Sequence, residues 1–332
     1  MAGISSRLRV AVIGLGWIGE AHLADLAGRD DVTIAAVHDV DPTRVSDCAD
    51  RFGARGYTDA AELFAHELLD AVWICTPPQH HLDPTLLAVS HGVPVYLEKP
   101  VARERADALR IVEAVADSGL VCAVGYQWHA LDLLTTVRGE LAGRPAGFLL
   151  GQSFGPTAAR PWFLDRSQGG GNLLERGSHH IDLVRAVAGE VTAVQAAAST
   201  VRLARPEAGE GDIDDALTLV LHLASGAIAT IVVAWTRDDG PARYGLDVVA
   251  SESVFRIELD PRFRLSGRSG GGDIDERASC APFTASITKF LDAVRAGDPG
   301  AVACTPADAL RTLEVALAGE EALASGATVR VS

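Results

Sequence analysis

Apolar residues recur along the first third of the chain in short β-rich runs, separated by longer stretches of helical period. That is the pattern of a parallel sheet with crossover helices. Strands are expected at 8–13, 32–38, near Gly56, and at 71–75, 93–97 and 120–124, with helices at 17–28, 42–52, 60–68, 84–90 and 103–118. Runs such as AVWIC carry no polar alternation, which suits strands covered on both faces. Beyond about Gly125 the pattern changes to long strands joined by tight turns, which predicts a mixed α+β domain. The clearest hairpin pairs 216–223 with 227–235 around Ser225-Gly226. Its period of two sends Leu217, Leu219, Leu221 and Leu223 to one face and Thr218, Val220 and His222 to the other. The second face is not plainly polar, so another subunit is expected to cover one side of this sheet. Helices are expected at 283–296 and 306–324, and the glycine-rich stretch 267–273 is expected to be a mobile loop.

A chain of 332 residues exceeds a single core, since cores rarely grow past about 250 residues. Two domains are therefore expected: a dinucleotide-binding one over 1–125 and one for substrate binding and oligomerisation over 126–332. The fold class is α/β, a doubly wound parallel sheet followed by an α+β domain. A formal net charge of −15 argues against nucleic-acid and anionic-membrane partners, because those affinities rest on Lys and Arg displacing counterions. No apolar run reaches the ~18–20 residues that span a bilayer, and no cleavable leader is evident, so a cytosolic location is expected. Cys48, Cys75, Cys122, Cys280 and Cys304 are widely spaced and form no C-x-x-C pair. Neither a disulfide framework nor a metal site is expected from them.

The first strand runs directly into Gly14-Leu15-Gly16-Trp17-Ile18-Gly19, with a helical pattern after it. Between strand and helix this hexapeptide has a mechanism: Gly14 permits the tight turn, Gly16 lets the backbone approach a pyrophosphate, and Gly19 lets helix and strand pack closely. Free N–H groups at the helix start then face the phosphates. Asp39 ends the second strand 20 residues after Gly19, where a carboxylate accepts hydrogen bonds from ribose hydroxyls and repels a 2′-phosphate. NAD is accordingly favoured over NADP, although Arg44 follows closely.

Two later strand ends carry polar residues on the ligand side of such a sheet: Thr76-Pro77-Pro78-Gln79-His80-His81 and Glu98-Lys99-Pro100. A lysine beside a cationic nicotinamide has its ammonium form disfavoured, so Lys99 is suited to share a proton with a substrate hydroxyl. A second site is read from Gly169-Gly170-Gly171-Asn172-Leu173-Leu174-Glu175-Arg176-Gly177-Ser178-His179-His180-Ile181-Asp182. A helix starting near Asn172 puts Glu175, His179 and Asp182 at i, i+4 and i+7 on one face and turns His180 away by about 100°. Asn172 and Glu175 also have the spacing of a helix N-cap and its N3 partner, an alternative that leaves Glu175 structural. The segment 155–168 is expected to line a substrate pocket. Trp162 in it either stacks on a sugar face or packs as an anchor, and Arg160 and Arg166 either pair with an anionic substrate group or face solvent.

Together these segments, with Val124-Gly125-Tyr126-Gln127, resemble the glucose-fructose oxidoreductase and inositol dehydrogenase family, known as Gfo/Idh/MocA, over nearly the whole chain. The resemblance implies a Rossmann domain, then a domain on an open, mostly antiparallel sheet, with the substrate between them. It implies NAD held by Gly14, Gly16, Trp17, Ile18, Gly19, Asp39, Thr76, Pro77, His81, Glu98, Lys99 and Gln127. It further implies Lys99 and His179 as the catalytic lysine and acid/base, with Glu175 beside them. The substrate, a sugar or cyclitol polyol or its ketone, would meet Lys99, Arg160, Trp162, Glu175 and His179. Relatives usually have aspartate at the Glu175 position, asparagine at Pro78 and arginine at His129. The implied reaction is hydride transfer between a secondary alcohol and the nicotinamide, in a homodimer or homotetramer. Two other readings stand beside it: a redox-assisted glycosidase or lyase that retains its NAD, and a non-catalytic nucleotide sensor.

Overall fold

The amphipathic periods of the first third fold as read, into alternating strands and helices: β1 (Leu8–Ile13), α1 (Trp17–Ala27), β2 (Val32–His38), α2 (Pro42–Phe52), β3 (Arg55–Tyr57), α3 (Ala60–His66), β4 (Ala71–Ile74), α4 (Leu82–Ser90), β5 (Val95–Leu97), α5 (Arg105–Ser118) and β6 (Cys122–Val124). The computed structural model describes residues 7–156, 161–199, 212–236 and 242–331. The strands form one parallel sheet in the order β3-β2-β1-β4-β5-β6, with β1 between β2 and β4. The chain reverses its direction of travel across the sheet at β1, which leaves a crevice at the strands' carboxyl ends. Strand interiors such as Val10, Val12, Val72, Trp73 and Ile74 are fully buried, as continuous apolar runs require.

The chain divides into two compact units, Met1–Tyr126 with Ser286–Leu310, and Gln127–Ala285 with Arg311–Ser332. A single cut after 125 leaves out the returning segment, whose place is set by aromatic packing. Phe290 meets Trp73 edge-on at 5.2 Å and Tyr96 at 5.5 Å, and the Tyr96 hydroxyl lies 2.9 Å from Ser286 Oγ.

The rest of the chain supplies α6 (Leu133–Leu141), β7 (Ala146–Pro156), α7 (Pro161–Leu164), α8 (Arg166–Gly169), α9 (Ser178–Ala188), β8 (Val191–Ser199), β9 (Ala216–Leu223), β10 (Ile228–Thr236), β11 (Arg243–Ala250), β12 (Val254–Asp260), β13 (Arg264–Ser269), β14 (Gly272–Arg277), α10 (Pro282–Ala296), α11 (Pro306–Ser325) and β15 (Val329–Arg330). A second sheet runs β14-β13-β12-β11-β7-β10-β9-β8-β15, antiparallel except for the parallel pair β7 and β10. The β9–β10 hairpin pairs Leu219 with Ile231 and turns at Gly226 with φ +85°. Leu217, Leu219, Leu221 and Leu223 are buried, and the alternate residues are half-buried. On the outer face Val254, Val249, Phe148 and Ile228 are paired across four adjacent strands and exposed, at 58%, 39%, 40% and 40%.

The stretch 267–273 is not a loop. It forms the ends of β13 and β14, with Gly267 opposite Ile274 and Ser269 opposite Gly272. Only Gly270 and Gly271 turn between them, and the ladder accounts for backbone groups that composition alone leaves unassigned. Cys48, Cys75, Cys122 and Cys304 are buried, and Cys280 is exposed. Among the described residues no helix is long and apolar enough to cross a membrane.

Candidate active site

The glycine turn between β1 and α1 is fixed by contact on both sides. Gly14 has φ +92°, and a Cβ there would stand 2.7 Å from the backbone at Cys75 and Thr76. A Cβ on Gly19 would collide with the Gly14 carbonyl oxygen. Gly16 differs, because a Cβ there meets nothing within 4 Å. It precedes the first turn of the 11-residue α1, whose leading N–H groups lack partners in the helix. Open space at Gly16 beside the start of α1 fits a pyrophosphate, and neighbouring Trp17 is 66% exposed. Ile18 and Gly19 complete the turn.

Asp39 is buried and does more than the sequence suggests. Its Oδ2 accepts from Leu15 N at 2.7 Å, inside the glycine turn, and its Oδ1 accepts from Asp41 N at 3.0 Å. Arg44 Nη1 lies 3.8 Å from Oδ2. Each carboxylate oxygen keeps a lone pair beyond these bonds, so the group both pins the turn and retains capacity for a ribose hydroxyl.

At the ends of β4 and β5, two residues expected at the cofactor have their polar atoms engaged inside the protein. The His81 ring is fully buried, with Nε2 2.8 Å from Thr76 O and Nδ1 2.9 Å from Pro100 O. Burial pushes its pKa down, while the hydrogen bonds to those carbonyls and the charge of Glu98 oppose the shift. His81 thus clamps two loops and has no nitrogen left for a ligand. Glu98 Oε1 lies 2.8 Å from His22 Nε2 of α1, and Oε2 accepts from Lys99 N at 3.1 Å. Burial raises the Glu98 pKa, but the His22 hydrogen bond, the His22 charge and Lys99 outweigh it and the net shift is down. A Cβ on Gly125 would stand 3.0 Å from both Glu98 oxygens, so glycine there makes room for the carboxylate. Thr76 Oγ1 donates to His80 O at 3.1 Å, Pro77 precedes the short turn Pro78–His80, and Lys99 is half-buried.

The second cluster lies wholly in the second unit. After α8, Gly170 and Gly171 take φ +72° and +65°, and Leu173–Gly177 forms a single π-turn leading into α9. A uniform α-helix from Asn172 was the expectation; the wider turn changes the phase between Glu175 and His179. Asn172 is not an N-cap either. It has helical dihedrals, and its amide donates to Asp214 O, a partner 42 residues away. Glu175 and His179 are half-buried, and the His179 ring lies 5.1 Å from Trp128. Asp182 is buried, with Oδ1 accepting from Thr312 at 3.1 Å and Oδ2 3.5 Å from His129 Nε2. His180 is fully buried. It packs edge-on against Trp128 at 4.8 Å, and burial pushes its pKa down to about 4.

Gln127 opens a short turn over Gln127–Ala130 and is half-buried. Trp162 packs against the buried cluster of Phe163, Leu164, Ile213 and Trp235, which favours its reading as an anchor. Arg166 is held by Asp214 at 2.7 Å rather than left solvated. Arg160 lies outside the described residues. The sequence reading passed over Arg176, a guanidinium stacked 4.2 Å over the Trp235 ring.

Residues 8–126 match the oxidoreductase family with an NAD-binding Rossmann fold, and residues 147–271 match the GFO/IDH/MocA C-terminal domain. The chain belongs to the GFO/IDH/MocA family. Among curated GFO/IDH/MocA-like proteins it is 28% identical over 244 residues to 4-carboxy-2-hydroxymuconate-6-semialdehyde dehydrogenase of a Sphingobium strain, covering 70% of this chain and 74% of that one. It is 26% identical over 347 residues to D-apiose dehydrogenase of Rhizobium rhizogenes, covering 98% of each. Levoglucosan dehydrogenase, solved with NADH and levoglucosan, shares the fold at a TM-score of 0.87 and 21% identity, over 98% of this chain and all of that one. As a GFO/IDH/MocA member the chain is an enzyme, an NAD-dependent oxidoreductase.

Proposed function

We propose that this enzyme transfers a hydride between NAD and a secondary alcohol or ketone of a small polyol of the sugar or cyclitol class. The observation that carries the reading is His179, half-buried at the start of α9, four residues after the acid Glu175 of the π-turn and beside Trp128. Helical π-turns frequently mark functional positions. The relative named for D-apiose supports the polyol class.

His179 removes the hydroxyl proton, Lys99 stabilises the developing alkoxide, and Glu175 orients the imidazole or the substrate. NAD, when bound, supplies the two-electron acceptor that no side chain provides. Gly14, Gly16, Trp17, Ile18, Gly19, Asp39, Thr76, Pro77 and Gln127 hold it. His81 and Glu98 set the backbone on which Thr76 and Lys99 stand. We assign the outer row Val254, Val249, Phe148 and Ile228 to the contact with another copy of the chain, which a solution mass measurement tests.

Replacing His179 by Ala is expected to leave NAD affinity intact and to lower turnover by ~10² to 10⁴-fold, the usual worth of a placed proton-transfer group. Unchanged turnover removes His179 from the reaction. Net NADH formation in the same assay separates a dehydrogenase from an enzyme that recycles its own cofactor.

A further inference from the structure

Arg176 is the second half-buried charge of the π-turn, next to Glu175 and three residues before His179. Its guanidinium carbon stands 4.2 Å over the Trp235 ring and 5.3 Å from the Tyr244 ring, and Nη2 donates to Pro156 O at 2.8 Å. Nη1 is buried with no hydrogen-bond partner among the described residues. Among the described residues the other arginines of this unit that are not exposed each have a carboxylate: Arg166 has Asp214 at 2.7 Å, Arg185 has Glu190 at 2.8 Å, Arg256 has Asp247 at 2.8 Å and Arg264 has Asp275 at 2.6 Å. No such ion pair is formed by Arg176 among the described residues. Burial lowers its pKa, with Tyr244 and Glu175 opposing, the direction expected of a cation short of negative partners.

Leaving a guanidinium in such a place costs stability unless something charged meets it. Stacking on two aromatic rings recovers part of that cost and fixes the plane of the fork. A planar fork with an unused donor matches a carboxylate. We propose that Arg176 receives a carboxylate of the substrate, so that the preferred polyol is a sugar acid or similar polyhydroxy acid. The inference rests on the dehydrogenase reading above and narrows its substrate class. One cation, with Arg166 already paired to Asp214, suits a monoanion better than a phosphate. Arg176 and His179 stand three residues apart on the one segment that leads from the π-turn into α9.

The test compares D-glucose with D-glucuronate, D-galactose with D-galacturonate, and glucose 6-phosphate as the phosphate arm. Readouts are NADH formation and quenching of tryptophan fluorescence in the NAD-loaded enzyme, because Trp235 stacks on the guanidinium. The acids are expected to exceed the neutral sugars by about 100-fold in kcat/KM, the worth of a charged hydrogen-bonded pair. Arg176→Met should abolish that preference through KM, with kcat and NAD affinity little changed. Arg176→Lys should retain part of it and stands in where the methionine variant does not fold.

Neutral sugars oxidised as well as the acids would overturn the proposal while leaving the dehydrogenase reading intact, and equal loss on both in Arg176→Met would make the residue structural. A preference for the phosphate overturns it in favour of a different anion. Oxidation of no compound tested counts against the general reading. Fluorescence then still decides this one: acid binding lost in Arg176→Met upholds it, and no acid binding by the unaltered enzyme ends it.

Discussion

The glycine turn 14–19 and the glycine turn 169–171 each feed a helix that carries candidate functional groups, yet their glycines serve different ends. In the first, Gly14 and Gly19 are demanded by close approach: a side chain on either would strike backbone. In the second, Gly170 and Gly171 are two successive left-handed residues before the π-turn, and a Cβ on Gly170 would strike the Leu174 side chain rather than backbone. The first turn is stapled from outside by Asp39, and the second by Asn172 reaching Asp214. Similar composition thus produces a rigid cradle in one unit and a re-phased helix in the other. What the glycine excludes is legible locally only where the surrounding motif is fixed.

The sharpest way to break this contrast is Gly19→Ala. Its methyl would overlap the Gly14 carbonyl, and overpacking against backbone is expected to cost about 3 kcal/mol, seen as a fall in Tm together with weakened NAD binding. Gly16→Ala is the control, with unchanged Tm and reduced NAD affinity, since open space surrounds it. A stable, fully NAD-binding Gly19→Ala variant would show that the turn can yield.

His180, on the helix that the second turn starts, gives the next largest effect. Its folded pKa of about 4 lies below the ordinary 6.5, so the unfolded chain binds the extra proton first. The stability it contributes is complete above about pH 6.5 and is lost as pH falls toward about 4, on the order of 3 kcal/mol. Urea unfolding across that range should show a shallower decline for His180→Leu than for the unaltered protein. Parallel curves would mean that the ring is hydrated in the folded state.

Gly170→Ala should matter least to the fold, about 1–2 kcal/mol for a non-glycine residue at φ +72° with Leu174 crowding it. It is expected to reduce turnover more than NAD affinity, because it displaces the π-turn and not the cradle. Equal losses in both would erase the distinction between the two turns.

The same contrast explains how much was readable beforehand. Gly14 to Gly19, the parallel strands and Asp39 at the end of β2 follow from local stereochemistry and period, and the structure has them where the pattern put them. The π-turn was not readable, since one wide turn leaves no mark on a short apolar pattern. The alternative of Asn172 as an N-cap fails because a cap is judged from near neighbours, whereas its partner comes from another part of the chain. Long-range pairing likewise turned the stretch 267–273 into strand ends. Composition gave no sign that Glu98 and His81 would be occupied by His22 and by two carbonyls.

The His81 ring spans Thr76 and Pro100, and so couples the segment after β4 to the one that carries Lys99. A mechanical linkage of this kind makes the two loops share their thermal fluctuations. Loosening at one rim would be felt at the amine on the other, and a substitution at position 81 would reach turnover without touching any molecule that visits the crevice.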